Sequence, residues 1–280
     1  TSLQHVHEQA TGTVSHPEIA TYVASLSTMQ KANLEDMRTR LAAWTSFEAQ
    51  AGVEGTPTAA QVTDSIATSI FNASIVSINH RAFDDEAATG MHHNWGEPAT
   101  RTLQWALLDP TKLLTYDATL SDTVLWDDLR TTEVETRDEI VARGVLDGYS
   151  MLATRLGDDP TQWQWGKLHT LTLSALIPPV SGDSPLQLPP AGDATCPNGY
   201  PRHGDLWGID AANYDLWTTT GNFTYDSGPQ QRLVVEMRSD GPHAWNALPG
   251  GEILNTHSPH FHDEMELWRH NQAPAFAITH

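Results

Sequence analysis

The sequence predicts an α+β fold in which helices come first and strands follow. Through much of the first half, apolar residues recur at three- and four-residue steps, as on one face of a helix. After Pro160, short alternating segments separated by Pro- and Gly-rich turns replace that spacing. This order is typical of α+β proteins or of part of a larger layered fold. We expect a mainly helical portion over residues 1–160 and a strand-rich portion of the same domain over residues 161–280.

Five helices are predicted in the first portion. A break rich in Gly and Pro, Gly52–Thr58, separates the first two. Glu133 and Glu135 lie in the first turn of the last helix, where the helix dipole favours negative charge, and Gly157 marks its end. The predicted helices span His16–Trp44, Ala59–Ile78, Arg101–Leu108, Asp122–Leu129 and Thr131–Leu156.

Four strands and a closing helix are predicted in the second portion. Pro178–Pro201 is a loop dense in Pro, Gly and Ser, and it is longer than a compact fold usually contains. The closing helix is expected over His260–His270. The predicted strands span Leu168–Leu176, Tyr214–Thr219, Arg232–Arg238 and His243–Ala247.

The charge balance restricts the classes of partner. The chain has 35 acidic and 15 basic residues, a formal charge of −20. Such a surface repels phosphate backbones and anionic lipid, so we expect no nucleic-acid partner. No apolar run approaches the ~18 residues of a membrane-spanning helix. The acidic, lysine-poor surface favours a periplasmic or extracellular location, with any secretory signal absent or already removed. The single cysteine, Cys196, excludes an internal disulfide.

The stretch Asn255–Trp268 gathers histidines and carboxylates and raises the question of a metal site. His257, His260 and His262 are spaced three and two residues apart, whereas a zinc protease helix places two histidines four apart around a glutamate. Asp263 and Glu264 suit the first turn of a helix without any metal. We therefore expect no metal here. A His-dependent metalloenzyme is the less favoured alternative, and it predicts stoichiometric zinc.

Two other candidates for chemistry have simpler explanations. His92-His93 is adjacent to Trp95, and we expect a loop that packs the indole and exposes the imidazoles. Thr1 has the residue type of an N-terminal nucleophile, whose own α-amino group acts as base. The polar residues after it do not predict a buried strand that would orient such a group. The residues alone therefore give no complete catalytic set.

Three blocks, in order, resemble the C-terminal half of the β chain of the penicillin acylase family. "WQWGKLHTLTL" (163–173) resembles the family's Trp-x-Trp-Gly-x-x-His block, and "PRHGDLWGIDAANYDL" (201–216) resembles its Pro-x-x-Gly-Asp segment. The third block runs from "SGPQQRLVVEM" at Ser227 to "LPGGEILNTHSPHFHDEMELW" and is similar to the closing pattern. The resemblance extends from about residue 143 to residue 268.

The resemblance implies an N-terminal-nucleophile (Ntn) hydrolase fold of αββα layers, made by autocatalytic cleavage of a precursor. In that family the N-terminal serine of the β chain attacks a linear amide and is activated by its own α-amino group. The serine and the oxyanion asparagine precede the portion that this chain matches. The implied partners are therefore the α chain and an N-terminal β fragment of the same precursor, together with a small acylated amide substrate. No cofactor is implied in this chain, although the rest of the enzyme has room for a structural calcium.

Glu236 is the one candidate catalytic residue. In "RLVVEM", alternation places it on one strand face with Arg232, Val234 and Arg238. The resemblance to cephalosporin and glutaryl acylases implies a carboxylate that orients a histidine, whereas an ion pair with either arginine is the simpler interpretation. Candidate substrates are β-lactam antibiotic side chains, N-acyl homoserine lactones and acylated lipopeptides. The alternative function is a non-catalytic binding or assembly protein that retains the scaffold.

Overall fold

A computed structural model describes residues 1–85, 96–108, 125–174, 186–206, 208, 212–226, 232–251, 253–273 and 275–276. Helices come first and strands follow, so the predicted α+β order is confirmed. The helices are α1 (Ser2–Thr11), α2 (Ala20–Ser25), α3 (Thr28–Ala42), α4 (Ala59–Phe83), α5 (Gly96–Leu108), α6 (Arg137–Leu156) and α7 (Met265–Arg269). The strands are β1 (Thr170–Leu171), β2 (Tyr200–Pro201), β3 (Arg232–Arg238), β4 (Gly241–Ala247) and β5 (Ala275–Phe276).

The chain divides into two compact units. Unit 1 comprises Thr1–Trp165 with Asp215–Asn222, and unit 2 comprises Gly166–Tyr214 with Phe223–His280. None of the helices in the described part of the chain combines the length and the apolar character needed to cross a membrane.

The core of unit 1 is the contact between α4 and α6. Most side chains of α4 are buried, and a capping box between Thr58 and Gln61 starts the helix. Gly144 and Gly148 of α6 lie directly against the backbone of α4, because a Cβ at either position would fall within 3.0 Å of a backbone atom. The two helices therefore approach more closely than any larger side chain would allow.

The first predicted helix, His16–Trp44, is wrong as a single element. The chain forms a 3-10 turn at Pro17–Ile19, then α2 and α3, with Leu26 extended between the two helices. Ser27 caps α3 through a capping box with Gln30. The side-chain cap begins a new helix there, although the apolar spacing continues through the break.

Two other helix predictions need correction. Helix α6 begins at Arg137 and not at Thr131, because the Thr136 hydroxyl caps it and accepts from the Glu139 N–H. The end at Gly157 is as predicted. Of the predicted helix Asp122–Leu129, residues 125–129 form turns, and residues 122–124 lie outside the described residues.

Helix α1 was not predicted, because its sequence is polar. Val6 is its buried apolar residue, and polar contacts add to its packing. His5 Nδ1 lies 2.6 Å from Asp138 Oδ2 of α6, and His16 Nε2 lies 2.8 Å from Glu8 Oε2. The His5 and His16 rings are stacked, with centroids 4.4 Å apart. Histidine–carboxylate pairs therefore contribute much of what docks this helix.

Unit 2 contains two small antiparallel sheets. Strand β1 pairs with β2, and a second sheet has the order β3-β4-β5. Strands β3 and β4 form a hairpin that pairs from Arg232↔Ala247 to Arg238↔Gly241, so both predicted strands are confirmed. The core of this unit consists of Leu171, Leu188, Tyr200, Ala212, Tyr225, Ala247, Phe261, Met265 and Trp268.

The other elements predicted for the second portion are shorter or absent. Of Leu168–Leu176, only Thr170–Leu171 forms a strand in the described residues. Tyr214–Thr219 forms turns, because the Asp215 carboxylate accepts from the Trp217 N–H and competes with strand pairing. The closing helix is only Met265–Arg269, since the Ser258 hydroxyl accepts from the His260 N–H and holds a turn before it.

Candidate functional site

The three sequence blocks that carry the family resemblance meet in one buried cluster of unit 2. His169 comes from the first block, Arg202 from the second and Trp268 from the third, and each is at most 2% exposed. Tyr225, which lies between the second and third blocks, contacts both His169 and Arg202. Residues separated by up to a hundred positions thus form one cluster, which we call the arginine–aromatic cluster.

His169 fixes the strand β1 end of this cluster. Its Nδ1 lies 2.8 Å from the Phe223 carbonyl oxygen, and because a carbonyl can only accept, Nδ1 carries the proton and donates it. The imidazole is stacked on Tyr225, with ring centroids 4.8 Å apart, and the backbone carbonyl of His169 accepts from the Arg202 backbone N–H. The imidazole is therefore held in one orientation and tautomer.

Arg202 is a buried cation at the centre of the cluster. Its Nε donates to the Tyr225 hydroxyl at 3.0 Å, and its Nη1 donates to the Arg269 carbonyl. The guanidinium also lies over the Trp268 ring, 5.2 Å from the centroid. Burying a charge is costly unless it is hydrogen-bonded, and these contacts offset that cost with neutral oxygens and a π face.

Trp268 connects the cluster to strand β3. The guanidinium of Arg232, the first residue of β3, lies 4.4 Å from the Trp268 ring centroid and donates to the Asn271 side chain. Two guanidinium groups, those of Arg202 and Arg232, therefore share one indole. Such contacts are worth up to about 2 kcal/mol each when desolvated. The base of the β3–β4 hairpin is consequently anchored to the core of unit 2.

Two phenols near the cluster, those of Tyr200 and Tyr214, are not candidates for acid–base chemistry at neutral pH. Burial raises the pKa of the Tyr200 phenol, and it raises the pKa of the fully buried Tyr214 well above its ordinary value. Both hydroxyls therefore stay protonated, and their rings serve packing. Tyr200 also carries the Arg269 guanidinium, 5.0 Å above its ring.

Strand β3 is exposed along nearly all of its length. Leu233, Val234, Val235 and Met237 are 50%, 61%, 46% and 79% exposed. Because successive side chains of a strand point to opposite faces, Leu233, Val235 and Met237 form one apolar face, whereas Val234 shares the other face with charged residues. Contiguous exposed apolar surface is typical of an interaction site.

Glu236, the predicted orienting residue, lies on this exposed strand. Its carboxylate is 2.5 Å from Arg238 Nη2, two residues along the same face, and its side chain is about half exposed. This is the ion pair of the simpler interpretation. The orienting role stays a prediction, since it concerns groups that the described residues do not place beside Glu236.

The histidines of the closing stretch lie in a turn. His260 Nδ1 is 2.7 Å from Asp263 Oδ2, and that hydrogen bond lowers the pKa of Asp263. Asp263 precedes α7 instead of lying in its first turn, which is a correction to the predicted helix start. The described residues contain no group of three or more His, Cys, Asp or Glu side chains arranged to hold a metal ion.

Among the residues that the structure describes, the remaining candidates bring no nucleophile and base together. Cys196 lines a cavity of about 430 Å³ beside Asp193, but burial raises the pKa of its thiol and keeps it in the less reactive protonated form. Thr1 precedes α1 and serves as its N-cap residue. His92 and His93 lie outside the described residues.

Sequence reasoning missed Arg202 and Arg269, two buried arginines of the cluster. Neither belongs to a periodic apolar pattern, and an arginine is expected at the surface unless its partners are known. The available signal was the position of Arg202 within the second block, two residues after Tyr200.

Comparisons with known proteins place these features in context. A family model described as penicillin amidase matches residues 2–280. An acyl-homoserine lactone acylase, QuiP, of Pseudomonas aeruginosa is 27% identical over 180 residues, which cover 59% of this chain and 20% of that protein. The protein of the same name from Pseudomonas fluorescens strain Pf0-1 is 44% identical over 152 residues, covering 54% of this chain and 16% of that protein.

One solved structure is also similar to this chain. A thermostable penicillin G acylase from Alcaligenes faecalis matches with a TM-score of 0.42 and 14% identity, covering 100% of this chain and 44% of that chain. The matched segments amount to 20% and 16% of the two curated relatives, so the match covers a fifth of their length or less.

Proposed function

The chain belongs to the penicillin amidase family, and from that premise we propose that it is part of an enzyme that hydrolyses linear amides. The observation that carries the proposal is the family match over residues 2–280, which includes both units. The relatives named as acyl-homoserine lactone acylases favour N-acyl homoserine lactones as the first substrate class to test.

The reaction proceeds through an acyl-enzyme. A serine hydroxyl at the N-terminus of a partner chain, deprotonated by its own α-amino group, attacks the amide carbonyl. Donors on that partner chain stabilise the oxyanion of the tetrahedral intermediate. The C–N bond breaks, the amine leaves with the transferred proton, and water hydrolyses the ester to release the carboxylic acid.

In this proposal the chain contributes scaffold and not the nucleophile. The match to this chain covers a fifth or less of each of the two relatives, which supports partner chains: the α chain and an N-terminal β fragment of the same precursor, separated by autocatalytic cleavage. The αββα layers would then be completed only in the assembled protein. We also propose the periplasm or the extracellular space as its location, which the acidic, lysine-poor composition favours.

The arginine–aromatic cluster supports a role in shaping the assembled protein. It joins three separate blocks of the chain and anchors the base of the β3–β4 hairpin through Arg232 and Trp268. Glu236 projects from that hairpin, so the cluster would set the position of its carboxylate. An orienting carboxylate must be held rigidly to act on a neighbouring histidine.

The test is hydrolysis by the assembled protein. The chain is co-expressed with the rest of its precursor, and the complex is incubated with an N-acyl homoserine lactone. Free homoserine lactone and free carboxylic acid are then quantified by mass spectrometry, with the isolated chain as the control without a nucleophile. We expect the complex to release homoserine lactone and carboxylic acid in equal amounts, and the isolated chain to release neither. A correctly processed complex that leaves this amide and a phenylacetyl amide intact would favour the non-catalytic assembly protein.

A further inference from the structure

We propose that strand β3 is where the rest of the enzyme joins this chain: a β-strand from the polypeptide outside the chain pairs with the edge of β3 that no described strand occupies, and apolar side chains of the same polypeptide cover the exposed apolar face of β3. This inference rests on the proposed function, because it takes the partner to be the remaining part of the same acylase. It adds the surface, the mode of contact and the chemistry of the partner strand.

The apolar side chains of β3 are concentrated on one of its faces. Leu233, Val235 and Met237 form that face, and they are 50%, 46% and 79% exposed. An antiparallel strand at the surface of a finished protein normally packs its apolar face on the core and turns its polar face to water. In β3 the apolar face is left in water, so the partner should present apolar side chains to it.

The edge of β3 opposite β4 is suited to pairing with a further strand. Within the described residues β3 pairs only with β4, so its other edge offers backbone N–H and C=O groups to a further strand. Natural proteins protect such edges with charges, proline or bulges. Between Leu233 and Val235 the strand has none of these, and its register with β4 continues without interruption for seven residues.

The β3–β4 hairpin is anchored to the core of unit 2. Arg232 anchors its base to Trp268, and Ala244 and Ala247 of β4 are buried beneath it. A rigid strand loses less conformational entropy on binding than a disordered segment. The exposure of β3 is therefore a property of an ordered element.

A second copy of the chain is a poorer occupant. The antiparallel register that pairs all seven residues of two β3 strands would place Arg232 of one copy opposite Arg238 of the other, at both ends. Like charges directly opposite each other destabilise a sheet. The remaining part of the precursor, by contrast, makes up most of a family-length protein, since the match to this chain covers a fifth or less of each relative.

The experiment compares charge insertions at matched positions. The double variant Val234→Lys/Met237→Lys is co-expressed with the rest of the precursor and purified through a tag on the partner. The control is Val134→Lys/Met29→Lys, which changes the same residue types at positions that are 68% and 73% exposed in unit 1. We expect the β3 variant to lower the yield of the complex about tenfold or more, because two ammonium groups would be desolvated in the interface. The control should assemble like the parent.

Hydrogen exchange provides a second measurement that needs no variant. In the parent complex, the amides of Leu233–Arg238 should exchange at least about tenfold more slowly than in the isolated chain, while Ser239 and Asp240 in the turn stay fast. Equal exchange of β3 in both states, or assembly of the β3 variant at the level of its control, would overturn the inference. Protection of β3 in a dimer of the isolated chain would assign the surface to a second copy.

These outcomes distinguish the β3 interface from the proposed function. Assembly through β3 in a complex that hydrolyses no amide would contradict the proposed enzyme activity and support the β3 interface. An active complex whose β3 amides stay unprotected would contradict the β3 interface and support the enzyme activity. A parent chain that forms no complex with the rest of the precursor would contradict both.

Discussion

Replacing Gly148 by alanine should destabilise unit 1, although alanine is the better helix former. Gly148 lies on α6 where it crosses α4, and an added Cβ would be 2.9 Å from the Ser74 backbone nitrogen and 3.0 Å from the Ala73 carbonyl carbon. These neighbours are backbone atoms of a buried helix, so no side-chain rotation can relieve the contact. The two helices would have to move apart.

Two opposing effects set the magnitude. Alanine gains about 1 kcal/mol of intrinsic helix propensity over glycine. Overpacking a well-packed contact costs about 1–3 kcal/mol, and the rigid backbone neighbours place this case in the upper part of that range. We therefore expect a net loss of about 1–2 kcal/mol in the free energy of unfolding.

The assay is urea unfolding followed by far-ultraviolet circular dichroism, with the midpoint compared at constant m value. The control is Ser150→Ala, at an exposed position two residues further along the same helix. There the gain in helix propensity is set against the loss of the hydrogen bond from Ser150 Oγ to the Leu146 carbonyl, and a change within about 0.5 kcal/mol is expected. A Gly148→Ala protein as stable as the parent, beside a normal control, would refute the close helix contact.

Three further predictions concern activity, pH and packing. Glu236→Gln should lower kcat of the assembled enzyme at least about tenfold, with KM unchanged and an altered pH–rate profile; an unaltered profile would leave Glu236 with only its surface ion pair. The hydrogen bond that His16 donates to the Glu8 carboxylate raises the pKa of His16, and hydrogen bonds donated by Gln4 and His16 lower the pKa of Glu8. The stabilisation from His16 is complete below its unfolded-state pKa of about 6.5 and is lost as pH rises through its raised folded-state pKa. The stabilisation from Glu8 is complete above its unfolded-state pKa of about 4.5 and is lost as pH falls through its lowered folded-state pKa. Exchange of α1 amides, corrected for intrinsic rates, should therefore be slowest between about pH 4.5 and 6.5, and His16→Gln should remove the alkaline limb. Trp268→Ala should cost about 3–5 kcal/mol in urea unfolding and Trp268→Phe clearly less, because phenylalanine keeps a π face for the guanidinium groups; equal losses would exclude the cation–π contribution.

The elements that the sequence predicted well are those whose signal is local. Helix α4 and the hairpin strands β3 and β4 follow from apolar spacing and alternation that run through each whole element. Breaks depend on single side chains. The capping box of Ser27 and Gln30 is readable in the sequence but was outweighed by the apolar spacing around it. Asp215 similarly replaces a predicted strand with a turn.

The candidate site was less predictable because it is built from contacts between distant residues. The resemblance placed three blocks in order, yet nothing in the second block indicates that Arg202 is buried. Its burial depends on Tyr225 and Trp268, which lie 23 and 66 residues further along the chain, since Arg202 is hydrogen-bonded to one and stacked on the other. Long-range pairs of this kind leave no period in the sequence.

The placement of charge on β3 agrees with burial of its apolar face in a larger protein. The three charged residues of the strand, Arg232, Glu236 and Arg238, share one face, and Glu236 is paired with Arg238. The opposite face presents Leu, Val and Met and no charge, although the chain has 35 acidic residues. A face that stayed in water would gain solubility from acidic residues. Charge is absent from the face whose burial in the assembly would make it costly, because an unpaired buried carboxylate destabilises the complex that contains it.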